Sequence, residues 1–206
     1  ALTIGVFDGI HRGHQKLIAH VTENKKNLHP VIITFRSNPA NVLQKVDYFG
    51  EIFTLDQKVE GFKELGVASL ILIDFSLDFS TLSGKDFIFT IQKNMVLNLL
   101  VLGRNFHCGS QAETDAAMIK RYCKNEPQCE VRIIEPITEQ SEKISSTVIR
   151  KYIKNGEFKK ATELLGKPFR LDLRRVEKYK LGEMAQIRIQ NAPQIIPNAG
   201  EYNAFL

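Results

Sequence analysis

Residues 2–15 read Leu-Thr-Ile-Gly-Val-Phe-Asp-Gly-Ile-His-Arg-Gly-His-Gln. Leu2–Val6 is a short apolar run entering Phe7-Asp8-Gly9, the pattern of a buried strand that ends in a turn. From Gly13 to about Asn24, apolar residues at Leu17, Ile18 and Val21 follow the spacing of a helix face. A strand, a glycine-bearing turn and a helix in that order place backbone amides at a helix N-terminus, where an anion is favoured. Inside the turn stand two histidines, His11 and His14, separated by Arg-Gly. Gly13 has no side chain, so a nucleotide can approach the backbone between the imidazoles. Both rings can then donate to phosphate oxygens, most strongly where negative charge builds in a transition state.

Outward from this stretch the chain alternates. Val31–Phe35 reads as a second strand, Thr54–Leu65 as a helix capped by Thr54 and stopped by Gly66, and Ser69–Asp74 as a third strand. Ser83 to about Lys93 is helical, Leu99–Leu102 a fourth strand, Thr114–Lys124 a helix and Glu130–Ile134 a fifth strand. This pattern predicts an α/β fold, a Rossmann-like parallel five-stranded sheet with helices on both faces. After Ile144 two more helices are expected, Thr147–Asn155 and Phe158–Leu165, with Gly156 and Gly166 as stops. From Phe169 the residues alternate, as in Gln186-Ile187-Arg188-Ile189-Gln190, a half-exposed strand pattern. A boundary near Lys167-Pro168 therefore divides a nucleotide-binding domain over 1–167 from a small C-terminal β module over 168–206.

Composition supports an ordinary globular chain. Of 206 residues 43% are hydrophobic and 25% charged, and a chain of this size buries roughly 70% of its unfolded surface. The longest apolar stretch, around Val96–Leu102, is too short to span a bilayer, so no membrane partner is expected. No basic and apolar leader opens the sequence, and three cysteines (Cys108, Cys123, Cys129) match no zinc or redox spacing. A reducing, cytoplasmic setting follows as the expectation. Charge is uneven: Arg150–Lys180 holds eleven Lys/Arg against four Asp/Glu, net +7, so the remainder of the +5 chain sums to −2. Such a segment is either a solvated helical face or the seat of an anionic partner, nucleic acid or a phosphorylated small molecule.

A second cluster lies at Ile144-Ser145-Ser146-Thr147-Val148-Ile149-Arg150. Hydroxyls and helix-start amides form a donor group, and Arg150, one turn into the helix, adds a planar fork suited to a triphosphate. Read blandly, it is a Ser/Thr cap with a surface arginine. Asn105, in the Gly103–Gly109 loop, follows a strand's C-terminal end, where open α/β sheets bind ligands. Asp8 either touches a ribose or magnesium ion or caps the turn.

Taken together, these strings carry a resemblance. His-x-Gly-His after a first strand resembles the nucleotidyltransferase superfamily, and the longer Gly5-Val6-Phe7-Asp8-Gly9-Ile10-His11-Arg12-Gly13-His14-Gln15 resembles the adenylyltransferase module of bacterial FAD synthetases. Thr34-Phe35-Arg36-Ser37-Asn38-Pro39 is similar to the family's Thr-Phe-x-Pro-His-Pro, and Gly103-Arg104-Asn105-Phe106-His107-Cys108-Gly109 to its Gly-x-Asp/Asn-Phe-x-Phe-Gly. Ile144–Arg150 matches its Ile-Ser-Ser-Thr-x-Ile-Arg, so the likeness covers about residues 2–170. The resemblance implies AMP transfer from ATP to FMN, giving FAD and pyrophosphate, with Mg²⁺ accompanying ATP. It implies catalytic roles for His11, His14, Asn105 and Arg150. ATP contacts fall on Gly5, Phe7, Asp8, Gly9, Gly13, Gly103, Ser145, Ser146 and Thr147, and flavin contacts on Phe35, Asn38 and Phe106. Asn38 stands where the family has His, Ser37 where it has Pro, and Cys108 where it has Phe, all on the flavin side.

Two other readings compete with FMN adenylylation. One is a sibling nucleotidyltransferase acting on another phosphate ester. The other is a non-catalytic flavin or nucleic-acid binder on a decayed synthetase; a nucleic-acid partner is not expected, and a monomer or weak homo-oligomer is. The bifunctional members of the family add a riboflavin kinase barrel carrying Gly-x-Pro-Thr-Ala-Asn. Residues 169–206 lack that string, so no kinase activity is expected of this chain.

Overall fold

Five strands form one sheet: β1 (Leu2–Ile4), β2 (Val31–Phe35), β3 (Ser69–Ile73), β4 (Leu99–Gly103) and β5 (Glu130–Ile134). In this computed structural model, which describes residues 1–23, 26–46, 48–125, 129–139, 142–174, 177–181, 184–188 and 192–204, they lie in the order 3-2-1-4-5 with every pairing parallel. Parallel sheets need both faces covered, and successive residues of a strand point to opposite faces. Ile32 accordingly enters one core and Ile33 the other.

Among the described residues seven α-helices follow in chain order: α1 (Arg12–Thr22), α2 (Pro39–Val42), α3 (Leu55–Glu64), α4 (Gly84–Asn94), α5 (Ala116–Tyr122), α6 (Ser146–Lys154) and α7 (Phe158–Leu165). On one face Ile18 of α1, Phe62 of α3, Ile149 and Ile153 of α6 and Leu165 of α7 pack around Ile32. On the other, Phe87, Ile88 and Ile91 of α4 and Ile119 of α5 cover Leu2, Ile4, Leu100 and Leu102. The expected α/β fold with a Rossmann-like sheet is the fold found. Because β2 and β4 flank β1, the chain leaves β1 and β4 in opposite directions, opening a crevice at their carboxyl ends.

Local chemistry explains the helix starts. Thr54 accepts from the Gln57 amide at 3.3 Å while the Gln57 side chain accepts from the Thr54 amide at 3.1 Å, a reciprocal capping box. Ser83 accepts from the Asp86 amide at 3.1 Å, and Asp115 from the Met118 amide at 2.7 Å. The helix read from Thr114 thus begins two residues later, because Thr114 and Asp115 instead pair with His107–Cys108 in a short antiparallel ladder.

The C-terminal portion holds the expected small antiparallel β unit. An antiparallel hairpin pairs Glu177–Leu181 with Met184–Arg188. The following segment, however, returns to the main body. The Glu51 amide donates to the Pro193 carbonyl at 2.9 Å and the Ile195 amide to the Glu51 carbonyl at 2.8 Å. Ile195 is fully buried in the α3/α6/α7 core, so contacts within one packed unit cross the 167/168 line. The apolar Ile195 side chain supplies the reason, since burial removes it from water. Three cations of the basic segment are paired with carboxylates: Lys167 with Glu64, Arg170 with Glu60, and Arg174 with Glu60 and Asp172. Among the described residues no helix is long and apolar enough to cross a membrane.

Candidate active site

A cavity of about 960 Å³ opens at the carboxyl edge of the sheet, within the size range of small-molecule sites. All five strands feed it, through Ile4 and Gly5, Phe35, Phe75, Gly103 and Ile134. Its floor is the turn between β1 and α1. There Phe7 and Ile10 hold left-handed backbone, with φ of 51° and 40°. Such conformations cost about 1–3 kcal/mol each for a residue with a side chain, and packing must hold them. Ile10 is buried, as is the Phe7 ring, which meets the edges of Phe62 and His14 at centroid distances of 5.7 Å and 5.2 Å.

His11 and His14 come together as the sequence proposes, in an unexpected posture. Their rings stack, 3.6 Å between centroids and 17° between planes. His11 caps α1: its Nδ1 accepts from the His14 amide at 3.3 Å. A neutral ring that accepts at Nδ1 carries its proton on Nε2, which leaves that N–H for a ligand. Burial pushes His11 down to about 4, and burial plus the neighbouring His11 holds His14 well below the usual histidine range. Both rings are therefore neutral at pH 7. The His14 Nδ1 is buried and has no hydrogen-bond partner among the described residues. Gly13 serves this stack directly, since a Cβ there would lie 3.2 Å from the His11 ring.

Beside the histidines lies a buried ion pair. Asp8 Oδ1 accepts from the Ile52 and Phe53 amides at 2.8 Å and 3.1 Å, and Oδ2 accepts from the Arg150 guanidinium at 2.5 Å. Arg150 Nε donates to the Gly50 carbonyl at 2.9 Å, and the guanidinium lies over the Tyr48 ring. Arg150 is off the cavity wall, with Nε and one Nη engaged by Gly50 and Asp8. Asp8 does line the cavity, and both its carboxylate oxygens bond protein donors, the capping alternative read for it.

The remaining candidates divide. Gly5, Phe35, Gly103, Asn105, Phe106, Ser145 and Ser146 line the cavity. Ser145 caps α6 by accepting from the Val148 amide at 3.3 Å, and Ser146 donates to the Asp8 carbonyl at 2.9 Å. Thr147 is exposed and off the wall. Gly9 is buried away from the cavity; its φ is +81°, and a Cβ would press within 3.0 Å of Ile52, so packing requires glycine there. Asn38, read as a flavin contact, is buried and caps α2, accepting from the Ala40 amide at 3.0 Å.

Sequence reasoning missed an aromatic wall. Phe35, Phe75 and Phe79 contact edge to face at 5.6–6.3 Å, Phe79 continues to Phe87, and all four line the cavity beside Leu82 and Cys108. Phe75 and Phe79 follow the end of β3, so the rule that ligands sit beyond strand ends was the available signal. It also missed Lys58, which is 1% exposed and donates to the Phe35 carbonyl at 3.0 Å. Burial lowers its pKa and raises that of nearby Glu51, which accepts from the Asn38 amide at 2.9 Å.

A parallel sheet with a His-x-Gly-His turn at the floor of its carboxyl-edge cavity defines a nucleotidyltransferase domain of the α/β type. Family comparison narrows the class: the FAD synthetase family model matches residues 1–148, and the chain belongs to that family. A bifunctional riboflavin kinase/FMN adenylyltransferase from Buchnera aphidicola (strain APS) is 33% identical over 184 residues, covering 88% of this chain and 58% of its own length. A FAD synthetase from Listeria monocytogenes is 31% identical over 170 residues, covering 82% of this chain and 69% of its own. A solved Streptococcus pneumoniae protein, described as a macrolide-efflux protein, superposes with a TM-score of 0.79 at 30% identity. That match covers 96% of this chain and 74% of the other. The chain thus spans less than two thirds of the Buchnera relative.

Proposed function

We propose that this chain transfers AMP from ATP to FMN, giving FAD and pyrophosphate. The observation that carries the reading is the neutral, stacked His11/His14 pair at the head of α1, facing a cavity with a phenylalanine wall. An oxygen of the FMN phosphate attacks the α-phosphorus of ATP. A new P–O bond forms, the bond to the β-phosphate oxygen breaks, and pyrophosphate leaves with the electron pair. No covalent enzyme intermediate is needed, so the protein contributes position and charge stabilisation. His11 Nε2–H donates to the reacting phosphate, and the α1 amides add the positive end of the helix. The Nε2–H hydrogen bond strengthens as negative charge accumulates on the phosphate oxygens in the transition state. Asn105, at the mouth, offers an amide to the polyphosphate. Phe35, Phe75, Phe79 and Phe106 provide the flat apolar surface that an isoalloxazine ring buries against.

Mg²⁺ fits as an ion that arrives on the nucleotide. Among the described residues no three His, Cys, Asp or Glu side chains converge on a point. Mg²⁺ held by phosphate oxygens and waters requires no protein cage, and it would neutralise charge on the leaving pyrophosphate. Residues 169–206 carry no Gly-x-Pro-Thr-Ala-Asn string, and we read the chain as unable to phosphorylate riboflavin. Pyrophosphate release from ATP tests the main reading, with FMN compared against phosphopantetheine and glycerol phosphate. FMN alone should support turnover; turnover with another ester, or with none, overturns it. Riboflavin in place of FMN should yield no FMN.

A further inference from the structure

Gln194 is 3% exposed, in the segment that returns from the C-terminal hairpin. Its Nε2 donates to the Ile52 carbonyl at 2.9 Å and is shared with Gln57 Oε1 and the Arg170 carbonyl, both at 3.0 Å. Its Oε1 accepts from the Asp172 amide at 2.6 Å. The Ile52 carbonyl and the Phe53 amide belong to one planar peptide group, which cannot bend to move one end without the other. Gln194 holds the oxygen of that group, and Asp8 Oδ1 accepts from its N–H at 3.1 Å. Asp8 in turn lies three residues before His11 and takes the Ser146 hydroxyl on its own carbonyl. A carboxamide far outside the matched 1–148 region is thus linked through one rigid peptide to the turn that carries both histidines.

We propose that Gln194 is a positioning residue for the transferase site: it clamps the Ile52–Phe53 peptide, that peptide orients the Asp8 carboxylate, and Asp8 sets the turn bearing His11 and His14. The proposal rests on the adenylyltransferase reading of the cavity. Gln194 touches no substrate; it acts by fixing where the His11 N–H points. A sub-ångström drift of such a donor falls on the transition state more heavily than on ground-state binding.

The test compares Gln194→Leu, which keeps the volume but cannot donate, with Ile195→Ala, which removes core packing one residue away and alters no side-chain hydrogen bond. Kinetics are read at a temperature where circular dichroism shows both variants folded. Gln194→Leu should lower kcat about ten- to hundredfold, with KM for ATP and FMN within about twofold of the parent. Ile195→Ala should melt earlier yet keep the parental kcat. Histidine imidazole ¹H–¹⁵N spectra without substrate give a second readout: His11 and His14 signals should shift in Gln194→Leu and stay in place in Ile195→Ala. If Gln194→Leu does not fold, Gln194→Glu, which still accepts from Asp172, is read in the same way. Parental kcat with unmoved imidazole signals overturns the proposal, as does an equal kcat loss in the Ile195 variant. A parent protein that releases no pyrophosphate from ATP and FMN rejects the adenylyltransferase reading instead, and the imidazole spectra then decide the positioning claim alone.

Discussion

Asp8 and Arg150 meet at 2.5 Å across 142 residues of sequence, and both are largely withdrawn from water. The pair joins the turn after β1 to α6 and, through Gly50, Ile52 and Phe53, to the segment leading into α3. Removing one member of such a buried pair strands the other charge. Asp8→Asn should therefore cost about 3–5 kcal/mol of folding free energy, measured by urea denaturation. The double variant Asp8→Asn/Arg150→Met should recover part of that loss, because no unpaired guanidinium remains. Additive losses in the double variant would argue against the pair.

The histidine stack predicts a pH dependence with a definite sign. His11 is lowered to about 4 in the folded protein, against 6.5 as the ordinary value, so the unfolded chain binds the extra proton first. Stability from this group is complete above pH 6.5 and declines as pH falls from there toward 4, by on the order of 3 kcal/mol in all. His11→Asn keeps a side chain that caps helices and removes the titration. Urea midpoints at pH 7.5 and 5 should differ less in this variant than in the parent.

His14→Ala removes one ring of the stack and, on the proposed mechanism, a donor to the reacting phosphate. Loss of one preorganised donor costs about 10²–10³ in kcat in comparable sites. Pyrophosphate release with FMN should fall by that factor while the variant stays folded by circular dichroism. Comparable rates in variant and parent would remove His14 from the mechanism.

Thr54 combines two duties: it caps α3, and its hydroxyl donates to Asp172 at 2.8 Å. Thr54→Ala should cost about 1 kcal/mol. For a chain of this size that is about 2–4 °C in melting temperature. Thr54→Ser, which retains both bonds, should lie near the parent, and calorimetry checks both.

Much of the framework is written locally. Strand and helix alternation through Leu2, Ile33, Leu100 and Val131 predicts the parallel sheet, because period and propensity act over a few residues. The Thr54 cap and the His11-Arg12-Gly13-His14 turn are local for the same reason. What the sequence could not assign is where long-range partners consume a side chain. Arg150 reads as a phosphate ligand, and only the fold shows that it also bonds Asp8, 142 positions away. Asn38 reads as a flavin contact until the Ala40 amide turns it into a cap. Residues 168–206 read as a small β module, yet within them Gln194 and Ile195 are drawn against the main body. The apolar side chain gains by burial there, and the buried amide must find its four partners, Ile52, Gln57, Arg170 and Asp172, in that place. Composition and periodicity determine which residues can be buried; only the tertiary structure decides which buried polar groups satisfy one another, because those bonds depend on distances that no spacing along the chain encodes.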